Sequence, residues 1–455
     1  MVKLYLIAPQ KDEDELLEGN PYSLLNLGEW VSRNSDFQVE IVQNLDQIEE
    51  KDAYVGISVT TPTYQLGLKL AKDLKAKNMG LKTILGGYHT KGQGKIITGK
   101  HKKGKKKGKL RHKEIDFVVE GEGEKGLVRI LKGETSKIIF GESLTSEELD
   151  SVRAEDLLRL NPEYFATMRQ FGRMNYISPR GCPYSCSFCA SRGKLSTKST
   201  ERIADDLETL AKKGFDKISI QDNYFGYSPE RIREICNEIL GRQIKMDWDC
   251  QTRVESMQDE SLLRLMADAG CSASYLGVEN FHPEVLSRMN KTGKPEDYLR
   301  MTKNAIQNML TAGIKPYVNL QAGLSYETEE IRQTNLEALR ELGRTAQEHK
   351  TEIEIYPHLN VVYPGTDDFY SLVQKGIPED IFETFTNWEE KNGEKIKDLL
   401  GKNDFVHGAG GIPLGILNFE RLREGKFEID EARVRDIGEY MDKIRKIEGI
   451  RIYQF

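Results

Sequence analysis

Apolar and polar positions along this chain follow two rhythms, short unbroken apolar runs and longer stretches with helical spacing. Leu4-Tyr5-Leu6-Ile7-Ala8 is one such run, suited to a strand buried on both faces of a parallel sheet. Leu24, Leu25, Leu27 and Trp30 then mark one side of a helix. Residues 37–42 and 53–59 predict two more strands, residues 66–71 open a helix, and residues 83–87 and 117–119 complete five strands. This alternation predicts a doubly wound (Rossmann or flavodoxin-like) parallel α/β sheet over residues 1–150, with ligands expected at the carboxyl ends of its strands.

The alternation returns from residue 174. A first strand is expected at Asn175-Tyr176-Ile177-Ser178. Helical patterns over 201–213, 229–240, 259–269, 296–311 and 327–342 lead to strands at 217–222, 246–250, 273–277, 316–320 and 354–356. Six βα units of about 30 residues each predict a partial (β/α)6 TIM-type barrel over 165–365, its site on the carboxyl-end loops. Residues 366–455 predict a small, mainly helical C-terminal region whose last helix, 431–447, is amphipathic.

Chemistry enters at Arg180-Gly181-Cys182-Pro183-Tyr184-Ser185-Cys186-Ser187-Phe188-Cys189, a run whose Gly and Pro predict a loop. Three cysteines spaced by three and then two residues can each hold an iron of a cubane cluster, leaving the fourth iron open. Iron–sulfur clusters normally take four cysteines, so a triplet implies a coordination position left for chemistry. Structural zinc also wants four ligands, yet no His lies between His112 and His282, and the next cysteine is Cys236. A disulfide accounts for two of the three at most.

The Cys-x3-Cys-x2-Cys run, with Phe188 before its third cysteine, resembles the radical S-adenosylmethionine (radical SAM) enzymes, in the branch with an N-terminal cobalamin-binding domain. The resemblance implies a [4Fe–4S] cluster on Cys182, Cys186 and Cys189, whose open iron binds the amino and carboxylate groups of S-adenosylmethionine. It also implies a 5'-deoxyadenosyl radical that abstracts hydrogen from a small-molecule or peptide substrate, and a reductant such as flavodoxin or ferredoxin. It places Asp222-Asn223-Tyr224-Phe225 and Gly277-Val278-Glu279-Asn280 around S-adenosylmethionine; Arg253 and Gln321, polar residues at neighbouring strand ends, and Phe188 beside the third cysteine are candidates for the same ligand. Asn223 and Glu279 also fit helix caps. The family's Gly-Leu-Pro-Gly-Glu-Thr element reads Gly323-Leu324-Ser325-Tyr326-Glu327-Thr328 here, so that loop departs from the pattern.

In the first domain, Ser58 and Thr60, Gly86, Gly87 and His89, and Gly121 and Glu122 fall at the ends of the third, fourth and fifth strands. By the same resemblance these loops cradle the nucleotide tail of cobalamin. The Asp-x-His-x-x-Gly motif that supplies a cobalt ligand in other cobalamin proteins is absent, which implies cobalt without a protein histidine, or a domain that kept its fold and lost the ligand.

Composition narrows the classes. Charged residues make up 30% and hydrophobic residues 38%, and no apolar run reaches membrane-spanning length, so a soluble cytoplasmic protein with neither signal peptide nor membrane span is expected. The net charge of −6 hides a basic segment: residues 91–113 hold ten Lys, one Arg and no acid. With five glycines this segment reads as a solvated loop, with nucleic-acid attraction as the second reading. His101 and His112 inside it read as surface residues. The Gly-rich run 407–415 lacks the Lys-Ser/Thr of a phosphate loop and reads as a long turn. Cys236, Cys250 and Cys271 read as packing residues. Methyl transfer to an unreactive carbon by way of cobalamin is the first expectation, and radical ring formation, contraction or oxidation the second. Methylthio transfer is disfavoured, because residues 1–181 contain no cysteine for a further cluster.

Overall fold

A computed structural model describes residues 2–9, 21–78, 80–91, 112–378, 380–382, 392, 395–396, 399 and 412–452. The basic run 92–111, with His101, and residues 407–411 of the Gly-rich run lie outside the described residues. Two compact units divide the chain. The first comprises the described residues of Met1–Phe171, Ser196–Ser199 and Tyr363–Asn387; the second takes those of Gly172–Leu195, Thr200–Val362 and Trp388–Phe455.

The first unit is built on β1 (Lys3–Ile7), β2 (Gln38–Ile41), β3 (Ala53–Ser58), β4 (Lys82–Gly86), β5 (Phe117–Glu120) and β6 (Ile138–Phe140). They pair in the order β2-β1-β3-β4-β5-β6, every pairing parallel. Helices α1 (Pro21–Asn34), α2 (Tyr64–Lys77) and α3 (Gly123–Leu131) connect them. Tyr64, Gly67, Leu68, Ala71 and Leu74 recur at helical spacing, so α2 buries that stripe against Val55, Ile57 and Leu85. Parallel strands buried in this way read as apolar runs, which is why five were visible in the sequence. The sixth, Ile138-Ile139-Phe140, is too short to show a period.

The second unit is the larger. Its strands are β7 (Met174–Tyr176), β8 (Pro179–Cys182), β9 (Gly193–Thr197), β10 (Lys217–Ile220), β11 (Asp247–Arg253), β12 (Cys271–Glu279), β13 (Lys315–Ala322), β14 (Ile353–Leu359) and β15 (Ile450–Ile452). Its principal helices are α4 (Thr200–Lys212), α5 (Pro229–Gly241), α6 (Glu260–Asp268), α7 (Tyr298–Ala312), α8 (Glu329–Glu348) and α9 (Glu431–Arg445). Seven strands form one parallel sheet in the order β15-β14-β13-β12-β11-β10-β7, consistent with a partial barrel, while β8 and β9 pair separately.

Two features differ from expectation. The first strand ends at Tyr176, and the chain then enters the β8–β9 pair, so Cys182 closes a strand instead of sitting in a loop. The described residues of 366–455, expected as a separate region, are shared between the units. Residues 363–382 belong to the first, while α9 and β15 extend the second, with Ile450 pairing beside Ile353 on β14. No helix among the described residues is long and apolar enough to cross a membrane.

Candidate active site

The three cysteines of the motif are held from two directions. Gly181 has φ +73°, and a Cβ there would stand 2.3 Å from the Lys194 carbonyl oxygen, so only glycine lets β8 pair this closely with β9. Beyond it, the Ser187 amide donates to the Met289 carbonyl at 2.9 Å, and the Asn290 side-chain amide donates to Ser185 Oγ at 2.8 Å. Phe188 packs on Val285, Met289, Leu324 and Ile331, so its ring anchors the loop.

All six cysteines are free. Cys186 is buried, and Arg253 Nη1 donates to its sulfur at 3.5 Å. The same guanidinium stacks over Tyr184 at 3.9 Å, pairs with Glu255 at 3.2 Å and donates to the Lys291 carbonyl. Burial pushes the Cys182 and Cys189 thiols up, and the neighbouring cysteines push the same way. A cationic cluster would relieve both effects, since metal binding stabilises thiolates. No three His, Cys, Asp or Glu groups converge on a single ion among the described residues. A cubane does not require that convergence, because each thiolate takes a different iron. The donor set therefore fits a [4Fe–4S] cluster.

Glu279 ends β12 in an unusual way. Its φ is +72°, and the pairing with β13 slips between Gly277 and Glu279, a bulge that re-aims the carboxylate. Oε1 accepts from Lys291 Nζ at 3.2 Å, and Oε2 accepts from Gln321 Nε2 at 2.9 Å. Asn360 donates to Gln321 Oε1 at 2.7 Å, which extends the network to β14. Gly277 lies beside this pair, where a Cβ would stand 2.9 Å from Lys291 Nζ and 3.1 Å from Glu279 Oε1 and would push on both side-chain ends. Its carbonyl accepts from the Tyr298 hydroxyl at 3.2 Å.

Asp222 and Asn223 part company. Asp222 is fully buried and accepts from the Ser178 amide at 2.7 Å and the Ser178 hydroxyl at 2.5 Å. Burial lifts its carboxyl to about 6, against the opposing pull of Arg231. Both its oxygens are therefore engaged within the protein. Asn223 is exposed.

At the ligand face of the first sheet the strand order reverses at β1, so the expected crevice lies outside the carboxyl ends of β1 and β3. Ser58 is half-buried there. Thr60 is exposed, with its hydroxyl 3.1 Å from that of Thr63. Gly86 has open space in front of it, the nearest atom to a Cβ being the Val119 carbonyl oxygen at 3.9 Å. Gly87 is different. With φ +101° and a would-be Cβ 2.4 Å from the Val59 carbonyl oxygen, it is required by backbone packing. Gly121 has φ +100° and stands over Gly141, and Glu122 accepts from the Leu144 amide at 3.3 Å. His89 is buried, stacked on Tyr64 at 4.0 Å and edge-on to Phe382 at 6.0 Å, so its imidazole is walled in by aromatic rings. The open positions, Thr60 and Gly86, fit a nucleotide tail; His89 does not offer itself as a metal ligand.

Lys291, Tyr298, His358 and Asn360 were not singled out from the sequence. His358 and Asn360 continue a period-two polar series from Glu354 and Tyr356, a signal visible once β14 is extended to Leu359.

The radical SAM superfamily model matches residues 176–345, which hold all three cysteines and the Glu279 network as far as Gln321. The chain is 24% identical over 397 residues to the cobalamin-dependent radical SAM methyltransferase TokK of Streptomyces tokunonensis, covering 78% of this chain and 56% of that one. It is 25% identical over 332 residues to an anaerobic magnesium-protoporphyrin IX monomethyl ester cyclase of Rubrivivax gelatinosus, covering 65% and 56%. The chain thus spans little more than half the length of these relatives. It shares its fold with the radical S-adenosylmethionine methyltransferase TsrM from Kitasatospora setae, solved with cobalamin and a [4Fe–4S] cluster, at a TM-score of 0.64 and 18% identity over 82% of this chain and 78% of that one. The motif, its bracing and the family match fall on the same residues, so residues 176–345 form a radical SAM domain.

Proposed function

We propose that this radical SAM enzyme is a cobalamin-dependent methyltransferase acting on an unactivated carbon of a small molecule or peptide. The radical half rests on the loop that brings Cys182, Cys186 and Cys189 together with Arg253 on the Cys186 sulfur, and the methyl-transfer half on the likeness to TokK. When bound, the cluster with S-adenosylmethionine supplies an organic radical, and cobalamin supplies a transferable methyl group. The chain's own residues do the rest. The three thiolates hold the cluster, and Arg253 offsets their negative charge. Glu279, fixed by Lys291 and Gln321, accepts hydrogen bonds from an ammonium or a ribose hydroxyl. Thr60 and Gly86 border the nucleotide tail, and His89 stays in its aromatic packing, leaving cobalt without a histidine from that loop. Flavodoxin or ferredoxin would deliver electrons, and the six free cysteines suit a reducing cytoplasm.

Anaerobic reconstitution should give about four irons per chain. Replacing all three motif cysteines with Ala should abolish cleavage of S-adenosylmethionine to 5'-deoxyadenosine; full cleavage in that variant overturns the cluster assignment. Protein made with ample hydroxocobalamin should show corrin absorbance and form S-adenosylhomocysteine as methyl groups leave. Likeness to the cyclase favours a second reading, radical ring formation. Continued 5'-deoxyadenosine formation with no corrin and no S-adenosylhomocysteine would decide for it.

A further inference from the structure

The second sheet has two unlike faces. On β11, Trp248, Cys250 and Thr252 are buried on the helix side, while Asp249, Gln251 and Arg253 alternate on the other. On β13 the helix side holds Val318 and Leu320, and the other face holds Tyr317, Asn319 and Gln321. A closed (β/α) barrel fills its interior with Val, Ile and Leu. Here the equivalent face is polar and aromatic.

Beneath the Glu279–Gln321–Asn360 network, the interior face is partly open. His358 Nε2 lies 3.3 Å from Asn319 Oδ1, and both residues are half-buried. From β10 and β11, Gln221 and Gln251 meet at 3.1 Å, with Gln251 exposed. Farther along, Tyr275 stacks on Tyr317 at 4.7 Å, and Tyr356 stands edge-on to both. Four cations beside this face are answered by opposite charges: Arg173 by Asp249 at 2.7 Å, Lys315 by Glu354 at 2.5 Å, Lys291 by Glu279 and Arg253 by Glu255. Burial also lowers the His358 pKa, which favours the neutral imidazole.

We propose that His358 and Asn319, with Gln221 and Gln251 across from them and the tyrosine trio beyond, form the substrate-recognition site, and that it takes an uncharged, planar, hydrogen-bonding group such as a carboxamide or a heteroaromatic ring. A carboxylate or phosphate among His358, Asn319, Gln221 and Gln251 would exchange its water for neutral partners, with the four neighbouring cations already paired, a desolvation cost that disfavours it. A neutral planar group exchanges its water for amide and imidazole partners and stacks against tyrosine. The inference rests on reading the unit as a radical enzyme only for the word substrate; the chemistry of the face stands by itself.

The test uses the intact 455-residue chain and two isosteric probes, benzamide and benzoate, followed by saturation-transfer NMR. Benzamide should bind and benzoate should not. His358→Leu should weaken benzamide about tenfold, the loss of roughly one good hydrogen bond, and His358→Gln should restore part of it. Asn319→Lys should admit benzoate, a gain that no misfolded variant can mimic. Equal binding of both probes, or benzamide binding indifferent to His358→Leu, overturns the proposal. Iron content and cleavage of S-adenosylmethionine, measured on the same samples, decide the radical-enzyme reading separately.

Discussion

Asp222 and Glu279, two carboxylates near strand ends of the second unit, live in opposite surroundings. Asp222 is buried among neutral donors with only Arg231 to offset it, and its folded value of about 6 exceeds the ordinary 3.8. A carboxyl raised on folding contributes fully below its unfolded value, and that contribution is lost as pH rises through the folded one. Between pH 4 and pH 7 the wild type should therefore lose on the order of 3 kcal/mol relative to Asp222→Asn. Urea midpoints at the two pH values measure this, and parallel pH slopes for the two proteins would contradict it. Glu279 instead neutralises Lys291, whose side chain is only 5% exposed. Glu279→Gln leaves that ammonium without its anion, which should cost about 3 kcal/mol. Equilibrium dialysis should show affinity for S-adenosylmethionine falling at least about tenfold, with iron content retained.

At the scale of elements, the cysteine loop depends on the β8–β9 pair. Gly181→Ala places a methyl against the Lys194 carbonyl in a left-handed backbone, so the strand pair should open and iron content should fall well below wild type, with the far-UV circular dichroism unchanged. Glycines differ in this respect. A bulky residue at Gly87 strikes the Val59 backbone and disturbs the sheet itself, whereas Gly86 faces open space and is the informative position for a nucleotide tail. Sequence reasoning ranked the two alike, because a glycine's φ and its neighbours are not written in its spacing. The cysteine motif was legible because its chemistry is local. Glu279 and Gln321 were legible as polar ends of apolar strands. Lys291 was not, since it lies beyond the short helix Pro283–Arg288 and meets Glu279 only through the fold. The strands β6 and β15 escaped because three residues carry no period.

For the whole molecule, the division into units changes what a truncation means. Ending the chain after Val362 would, on the sequence reading, remove only an appended helical region. It would instead strip residues 363–382 from the first unit, among them Phe369 and Phe382, which pack at 5.5 Å. It would also take β15 from the second and leave β14, with buried Ile353 and Ile355, as an open edge. Such a fragment should be recovered mainly as aggregate, as size-exclusion chromatography would show; a monodisperse, cooperatively unfolding fragment would refute the assignment.

The three cysteines outside the motif have a practical use. Cys236, Cys250 and Cys271 are all but sealed from solvent, and burial pushes the Cys236 thiol up to about 12 and that of Cys271 well above its ordinary value. Alkylating reagents attack thiolates, so these residues should stay silent in the native protein. Iodoacetamide footprinting then becomes a gauge of cofactor occupancy: mass added under native conditions reports the half-buried Cys182 and Cys189, while buried Cys186 stays silent with the outer three. Each preparation could be graded by the fraction of chains whose loop thiols are shielded, without any knowledge of the substrate.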